Sequence, residues 1–401
     1  MRIALVTHEY PPDTGFGGIS TYSVNLVLAL RGIGVETEVF CASFERELSE
    51  CYRGIATHRI KVSHSPDFPR LVVKPFARRH KEKPFDLIEC PEIGGEALEI
   101  TKQFPDLPLV VRLHAPAVLI TRMQNSLIPF HKKLRFVAGN LRRGRIDFGY
   151  WSRGDKNQHA DRDFLITEAA RHISSPSKKM KEWATSFWKI DPARISVIPN
   201  PFDPDPVLLK IPADTNTKRI TFYGRLNVLK GLVPLTKALK TILRNNPEWS
   251  MRFAGKDENA HIEGMRMKQY IEKELEAFND QLEWFDWVEK ESLPELLRES
   301  DIVVIPSLFE SFSYVCAEAM SAARGIVGSR RGGMPELLGD TGILIDPKSP
   351  SAISRAVQKL ISDPARRISY GEAARERLLR ACNPEIVAKE MHQLYLSVLQ
   401  A

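Results

Sequence analysis

Two cations stand five positions apart directly after an apolar run of residues. Arg225 and Lys230 lie in the segment Tyr223–Gly231, each beside a glycine. One cation on a loop that follows a strand, and a second at the start of a helix, suit the two phosphates of a diphosphate. The alternative is that both are ordinary surface charges. The flanking glycines and the position after a strand favour the diphosphate site.

Two carboxylates eight positions apart form a second candidate site. Glu310 falls in a loop after the apolar run that ends at Ile305, and Glu318 falls about one turn into the helix that follows. Glu310 is therefore placed to face a reacting group, and Glu318 to accept hydrogen bonds from hydroxyl groups deeper in a pocket. A solvated position for Glu318 is disfavoured, because the residues around it are apolar or small.

A glycine-rich loop lies near the start of the chain. Pro11–Ser20 contains Gly17 and Gly18 and opens directly into a helical pattern, so free N–H groups at the start of that helix can meet an anion. The spacing is not GxGxxG, and no acidic residue ends the second strand. The sequence therefore disfavours a nicotinamide dinucleotide site.

These residues must be positioned by an α/β scaffold, because short apolar strands alternate with helical segments throughout the chain. The strands that the pattern predicts are 3–7, 35–40, 86–90, 109–114, 172–175, 195–199, 219–223, 251–254, 282–285, 302–305, 326–328 and 343–345. Helices are predicted at about 350–362, 365–380 and 384–400. A proline-rich stretch at 200–212 interrupts the alternation, and its composition predicts a linker.

The predicted fold is therefore α/β, with two doubly wound Rossmann-like domains that face a central cleft. We place the first domain at residues 1–200 and the second at residues 201–380. Ligands of such folds bind at the carboxyl ends of the strands, so the loops after strands are expected to line the cleft. Residues 381–401 are predicted to form a C-terminal helix.

Composition excludes several classes of protein. The chain has 401 residues with 43% hydrophobic and 27% charged residues, which are ordinary globular values. No apolar run is long enough for a membrane-spanning helix, and the start of the chain turns polar too soon for a signal peptide. Five scattered cysteines without a CxxC pair argue against a disulfide framework or a structural zinc site. A reducing cytoplasm is the expected location.

The charge is uneven along the chain. Residues 1–200 hold 30 Lys and Arg against 22 Asp and Glu, whereas the remainder holds 27 against 28. Residues 107–146 contain no acid and eight cations: Arg112, Arg122, Lys132, Lys133, Arg135, Arg142, Arg143 and Arg145. Such a surface predicts a polyanionic partner, either an anionic membrane or a phosphorylated substrate. The alternative is a solvated basic surface; no DNA- or RNA-binding module accompanies the charges, so a nucleic-acid partner is disfavoured.

The order and spacing of these motifs resemble a known family. The chain is similar to the retaining glycosyltransferases of GT-B fold in family GT4, the glycosyl transferases group 1, over nearly its whole length. The resemblance rests on the glycine-rich loop, His114 after a strand, Val197–Pro201, Gly224–Gly231, the Glu310–Glu318 pair and Gly332–Glu336.

The resemblance implies that residues 1–200 form the acceptor-side domain, that residues 201–380 bind the nucleotide-sugar, and that the helix of residues 381–401 crosses back to the first domain. It also implies roles for individual residues. Arg225 and Lys230 neutralise the donor diphosphate as it leaves, with help from the amides of Gly17 and Gly18. Glu318 binds the ribose hydroxyl groups. The donor sugar is held by Glu310 and the backbone amides of Ser311 and Phe312, with His114 of the first domain close to it.

The expected activity is transfer of a sugar from a nucleotide-diphospho-sugar to a hydroxyl acceptor, in the synthesis of a glycan, glycolipid or polysaccharide. The acceptor attacks from the leaving-group face, or else Glu310 carries a double displacement. The paired cations act in place of a metal, so no metal or other cofactor is expected. Asp161–Asp163 and Asp203–Asp205 are interpreted as structural. The alternative function is a nucleotide-sugar-binding protein of the same fold that has lost catalysis.

The substrates remain open at this stage. Three positions depart from the family pattern, namely Ser311, Asp286 and Lys256–Asp257. The last two border the expected nucleobase region, so the donor is left as a UDP-, GDP- or ADP-sugar. A lipid-linked or phosphorylated acceptor is favoured over a neutral sugar, with the enzyme attached peripherally at the inner face of the membrane.

Overall fold

The computed structural model describes residues 1–15, 17–128, 130–145, 159–258 and 264–400. The chain divides into two compact units. Unit 1 comprises Met1–Phe202 together with Pro384–Ala401, and unit 2 comprises Asp203–Asn383. The last helix of the chain is therefore part of the first unit.

Unit 1 is built on a sheet in which eight strands of the described residues take the order β3-β4-β2-β1-β5-β6-β7-β8. The strands are β1 Arg2–Thr7, β2 Glu36–Ser43, β3 Leu48–Tyr52, β4 Ile55–Lys61, β5 Leu87–Pro91, β6 Leu109–Arg112, β7 His172–Ser175 and β8 Ile195–Val197. All pairings are parallel except β3 with β4. All six residues of β1 are buried, as expected of a strand covered on both faces.

Unit 2 carries a fully parallel sheet in which six strands of the described residues take the order β11-β10-β9-β12-β13-β14. Its strands are β9 Arg219–Tyr223, β10 Ser250–Ala254, β11 Leu282–Phe285, β12 Ile302–Ile305, β13 Gly325–Ser329 and β14 Ile343–Ile345. Strands β9 and β12 are neighbours at the centre of the sheet. The loops that follow them carry the two cations and the first carboxylate of the predicted site.

Helices connect the strands. In chain order they are α1 Gly18–Gly32, α2 Phe68–Leu71, α3 Val73–Glu82, α4 Leu98–Gln103, α5 Ala117–Leu127, α6 Phe130–Arg142, α7 Arg162–Ala169, α8 Lys178–Trp183, α9 Pro206–Leu209, α10 Leu232–Asn245, α11 Met267–Glu274, α12 Leu293–Arg298, α13 Tyr314–Ser321, α14 Met334–Leu338, α15 Pro350–Ser362, α16 Pro364–Ala381 and α17 Pro384–Gln400. The three C-terminal helices fall within two residues of their predicted bounds.

Helix α17 packs against α1 in unit 1. The Tyr395 hydroxyl of α17 donates to Glu89 on β5, and the Tyr22 hydroxyl of α1 donates to the other oxygen of the same carboxylate at 2.6 Å. Burial raises the pKa of Glu89. One buried carboxyl group thus joins a central strand to both helices.

The sequence pattern missed the antiparallel pair β3 and β4. No residue of β3 is buried, so the strand shows no apolar alternation. In β4 the buried Arg59 stands where the pattern requires an apolar residue. Arg59 is stabilised there by an ion pair with Glu50 of β3 at 2.5 Å and by a hydrogen bond to the Pro11 carbonyl at 2.9 Å.

Candidate active site

The loop after β9 holds Lys230 in a fixed position. Residues Val228–Lys230 form a 3-10 turn that Asn227 caps, its side-chain oxygen accepting from the Lys230 amide at 3.1 Å. Gly231 follows with φ of +72°, and a Cβ there would lie 1.9 Å from the Pro306 carbonyl oxygen. Glycine is therefore required, because it lets this loop pack against the loop that follows β12.

This close approach brings together two residues that the sequence analysis assigned to separate motifs. Lys230 Nζ donates to Glu310 Oε1 at 2.6 Å, and both side chains are largely buried. The Glu310 backbone is held by a third loop, since its carbonyl accepts from the Gly333 amide at 2.7 Å. A Cβ on Gly332, whose φ is +69°, would lie 2.1 Å from the same carbonyl oxygen. Glu310 and Lys230 thus form one charged pair, held where three loops meet.

Arg225 lies on the same loop but is mostly exposed, with 66% of its side chain accessible. Its guanidinium contacts Glu258 Oε1 at 3.4 Å, while Glu258 Oε2 accepts from the Asn227 side chain at 2.8 Å. Glu258 was not identified from the sequence. The sequence could have indicated Glu258, because this residue follows β10, the neighbour of β9 in the sheet. The loops after adjacent parallel strands meet at one edge of a sheet.

Glu318 lies on α13, partly buried, as the sequence predicts. Burial raises the pKa of its carboxyl group to about 7. The helix starts at a cap in which the Ser313 side chain accepts from the Cys316 amide at 3.3 Å. The hydroxyl of Tyr223, at the end of β9, donates to the Val315 carbonyl at 2.6 Å and fixes the helix against the central strand.

Several backbone amides of the predicted site are open to a ligand. Within the part of the chain that the structure describes, the amides of Ser311 and Phe312 donate to no acceptor. In unit 1 the same holds for the amides of Gly17 and Gly18 at the start of α1, which no side chain caps. Phe16 of this loop lies outside the described residues. A Cβ on Gly17 would lie 2.7 Å from Glu9 Oε2, so a carboxylate stands beside this helix start.

His114 follows β6 in unit 1 and is 7% exposed. Burial, and then the nearby Arg112, lower the pKa of its imidazole to about 3, so the ring is neutral. Its amide donates to Glu92 at 2.9 Å, and its ring lies edge-on to Tyr22 with centroids 5.2 Å apart. Its Nε2 is buried and has no hydrogen-bond partner among the described residues. A ligand hydroxyl group that reached this atom would supply its missing hydrogen-bond partner.

Three buried carboxyl groups support the loops of unit 1; the sequence analysis named neither Glu92 nor Glu96 and interpreted Asp163 as structural. Glu92 binds the His114 amide, Glu96 accepts from the His8 amide at 2.9 Å, and Asp163 accepts from the Ala117 amide at 2.9 Å. Burial raises the pKa of Glu92 to about 8, and it also raises the pKa values of Glu96 and Asp163. Glu92 and Glu96 follow β5, which lies between β1 and β6, and so they reach the loops on both sides.

The basic segment 107–146 is not one surface. Residues 129 and 146 lie outside the described residues. Arg112 is 0% exposed, donates to the Ile198 carbonyl at 2.9 Å and to Asn200 Oδ1, and lies 4.7 Å from the Tyr22 ring centroid. Counting it as a surface cation was wrong, because it is on β6, an interior strand of the sheet. Arg122 is half-buried over the Phe187 ring. The other six cations lie on or just after α6.

Three aspartates of the two Asp-x-Asp strings accept hydrogen bonds from backbone amides. Asp161 caps α7, Asp163 binds loop amides, and Asp205 caps α9. Asp203 is exposed. Among the described residues, no group of three or more His, Cys, Asp or Glu side chains is arranged to hold a metal ion.

Comparison with known proteins places both units in described families. Residues 209–377 match the model of the glycosyl transferases group 1, and residues 16–206 match that of glycosyltransferase family 4. The chain is 31% identical to D-inositol 3-phosphate glycosyltransferase of Corynebacterium glutamicum, over 98% of this chain and 96% of that protein.

Solved structures show the same fold. Sucrose-phosphate synthase from Thermosynechococcus elongatus matches with a TM-score of 0.74 at 20% identity, over 100% of this chain and 99% of that chain. Anabaena HepE in complex with UDP matches with a TM-score of 0.69 at 15% identity, over 99% of this chain and 100% of that chain. At these identities the likeness concerns the fold alone.

Proposed function

Because this chain belongs to the glycosyltransferases of group 1 and family 4 and has their GT-B fold, we propose that it is a retaining, metal-independent enzyme that uses a nucleotide-diphospho-sugar. The sugar passes to a hydroxyl group of the acceptor. The observation that carries the proposal is the 2.6 Å pair of Lys230 and Glu310, with Arg225 on the same loop. Cations at the carboxyl ends of central parallel strands suit a diphosphate.

The proposed chemistry distributes charge between these residues. The bond between the anomeric carbon and the diphosphate oxygen breaks, which leaves negative charge on the diphosphate and positive charge on the sugar. Lys230 and Arg225 stabilise the diphosphate, while the Glu310 carboxylate stabilises the sugar. The acceptor oxygen bonds to the anomeric carbon from the leaving-group face, and its proton passes to a diphosphate oxygen. The anomeric configuration is then retained.

We favour this same-face attack over a double displacement on Glu310. The Glu310 carboxylate is hydrogen-bonded to Lys230, which lowers its nucleophilicity and suits it to electrostatic stabilisation. The neutral His114 ring and the amides of Ser311 and Phe312 are assigned to hydroxyl groups of the donor sugar, and Glu318 to the ribose. The amides of Gly17 and Gly18 are assigned to the diphosphate. No step of this scheme requires a metal ion.

We propose a phosphorylated or lipid-linked acceptor and a cytoplasmic location at the inner face of a membrane. The excess of cations in the first half of the chain supports an anionic partner. The Corynebacterium relative is named for an acceptor that carries a phosphate, D-inositol 3-phosphate. The free cysteines of this chain suit a reducing compartment. No helix of the described residues combines the length and hydrophobicity needed to cross a membrane.

A donor screen tests the proposal. Thermal unfolding is measured with UDP-, GDP- and ADP-linked sugars, because a ligand that binds only the folded state raises the melting temperature. We expect one nucleotide series to stabilise the protein and its sugar to reach an acceptor with retained configuration, as NMR of the product shows. Stabilisation without transfer to any phosphorylated or lipid-linked acceptor would favour the inactive binding protein. An inverted product would contradict the mechanism.

For Glu310→Ala, transfer is repeated with azide added. A glycosyl azide of inverted configuration would show double displacement on Glu310. Absence of that product, while the donor still binds, would support same-face attack.

A further inference from the structure

Helix α6 exposes apolar side chains along one row. Phe130, Leu134 and Leu141 are 68%, 47% and 58% accessible. They are spaced by four and seven residues, which places them on the same face of an α-helix. Three large apolar side chains in one exposed row form a contiguous patch rather than isolated surface residues.

A row of basic side chains runs beside this apolar row. Positions 131, 135 and 142 carry His131, Arg135 and Arg142, each one residue after a member of the apolar row. Lys132 lies farther round the helix, and Lys133 is half-buried on the other side of the apolar row. Among the described residues no acid forms an ion pair with Lys132, Lys133, Arg135 or Arg142.

An adjoining face of α6, about a third of a turn from the apolar row, attaches the helix to the protein. Asn140 is buried and Phe136 is half-buried there, while Val137, also half-buried, lies on the face of the apolar row. The helix is therefore anchored along one side and presents the apolar and basic rows on its other faces. An apolar row flanked by cations is the arrangement of a helix that lies in the interface of an anionic bilayer.

We propose that α6 is the membrane-contact surface of this enzyme and that its partner is a bilayer of anionic lipids. Leu134 and Leu141 enter the boundary between headgroups and acyl chains, together with Phe130. Arg135 and Arg142 on one side of the row, and Lys133 on the other, bind the lipid phosphates. The inference rests on the proposed peripheral location and deepens it, because it assigns the contact to one helix and names the inserted side chains.

The charge of the patch favours lipid over other partners. A nucleic acid gains little from exposed leucines beside the cations, since its phosphates are bound by charge alone. A second copy of the chain would bring a like-charged row of cations against the same row, which is unfavourable. Anionic lipid supplies both the negative charge and an apolar phase.

Vesicle sedimentation tests the proposal with the full chain. The probes are vesicles of phosphatidylcholine alone and of equal parts phosphatidylcholine and phosphatidylglycerol, each at low and high salt. We expect binding to the mixed vesicles at low salt and recovery in the supernatant with the neutral ones. The variant Lys133→Ala/Arg135→Ala/Arg142→Ala should bind the mixed vesicles at least about tenfold more weakly.

Matched controls distinguish the effect of changing α6 from the effects of lowering the net charge or removing exposed leucines elsewhere. Lys237→Ala/Arg244→Ala/Lys359→Ala removes three exposed cations from unit 2 and should bind like the parent protein. Leu134→Ser/Leu141→Ser should lose the part of binding that resists high salt. Leu379→Ser/Leu396→Ser, at other exposed leucines, should retain it.

Three results would overturn the proposal. These are equal recovery of the parent protein with both vesicle types, equal losses in the two triple variants, or a lipid-free dimer that Leu134→Ser/Leu141→Ser dissociates. Circular dichroism and the melting temperature establish that each variant is folded. Stabilisation by the nucleotide-sugar is measured on the same samples. If the parent protein is stabilised by the nucleotide-sugar but does not bind vesicles, the proposed membrane surface is wrong and the donor site stands. If the nucleotide-sugar does not stabilise the parent protein, the proposed function fails separately.

Discussion

Lys230 and Glu310, 80 positions apart in the chain, form an ion pair of 2.6 Å between Nζ and Oε1. The cation assigned to the diphosphate and the carboxylate assigned to the sugar are therefore one electrostatic unit. When a donor binds, the Lys230 ammonium is expected to meet the diphosphate while Glu310 stays beside the developing positive charge of the sugar. The two glycines at 231 and 332 allow the loops to come this close.

Removing either cation is expected to slow the chemical step. We predict that Lys230→Ala and Arg225→Ala each lower turnover by about two orders of magnitude or more, the scale of losing one transition-state donor. Steady-state kinetics at saturating donor measure this. The matched control is Lys240→Ala, which breaks a 2.6 Å pair with Glu274 elsewhere in unit 2. Turnover near that of the parent enzyme in both site variants would refute the diphosphate assignment.

Glu258 is expected to position Arg225 and Asn227. Glu258→Ala removes both contacts, so we predict a donor KM about three- to tenfold higher, the effect of losing one or two hydrogen bonds. Glu258→Gln should be intermediate, because an amide oxygen still accepts from Asn227. The exposed acid Glu276, changed to Ala, is the control. Tighter donor binding in Glu258→Ala would mean that Glu258 competes with the diphosphate for Arg225.

The raised pKa of Glu318, about 7, predicts a pH dependence of donor use. Above pH 7 the carboxylate is ionised and accepts hydrogen bonds from two ribose hydroxyl groups; below pH 7 it becomes protonated and accepts them less well. We expect kcat/KM for the donor to fall on acidification below about pH 7, since that ratio reports the free enzyme. Glu318→Gln should have lower kcat/KM without this inflection. The same inflection in Glu318→Gln would assign it to another group.

Turnover is expected to survive removal of divalent metal ions. The cations of Arg225 and Lys230 provide the charge that a metal ion would otherwise supply to the leaving diphosphate. The measurement compares initial rates before and after dialysis against EDTA. Loss of activity that magnesium or manganese restores would show that the reaction needs a metal.

Glu92 predicts a pH-dependent stability. Its pKa is raised to about 8 in the folded protein from an ordinary value of 4.5, so it stays protonated where the unfolded chain is ionised. The unfolded state therefore binds fewer protons between these values, and the free energy of unfolding falls as pH rises from about 4.5 to 8. Glu92→Gln lacks this slope.

The parent protein should therefore lose stability relative to Glu92→Gln as pH rises across that range. The difference between their free energies of unfolding should change by about a few kcal/mol, as expected for a buried carboxyl group. Urea denaturation at several pH values measures it. Glu47→Gln, at an exposed position, is the control. A difference that does not change with pH would contradict burial of an uncharged Glu92.

The alternation of apolar strands and helices determined the fold class and most strand positions from the sequence alone. This succeeds because parallel strands are buried on both faces, so that runs such as Ile302–Ile305 are apolar throughout. The order of motifs along the chain also identified the family. Local residue types are sufficient for both, because each strand, each glycine turn and each motif lies within a short stretch.

The tertiary structure decided which distant residues are partners. Sequence pattern placed Arg112 on a basic surface, whereas it is buried because its acceptors, Ile198 and Asn200, lie on a loop more than 80 residues away. The sequence pattern gave no role to Glu92 or Glu258, because each side chain binds a group on the loop that follows a neighbouring strand. Whether a charged side chain is solvated, buried or paired depends on what the fold brings within hydrogen-bond distance of it, and strand order in the sheet sets that distance.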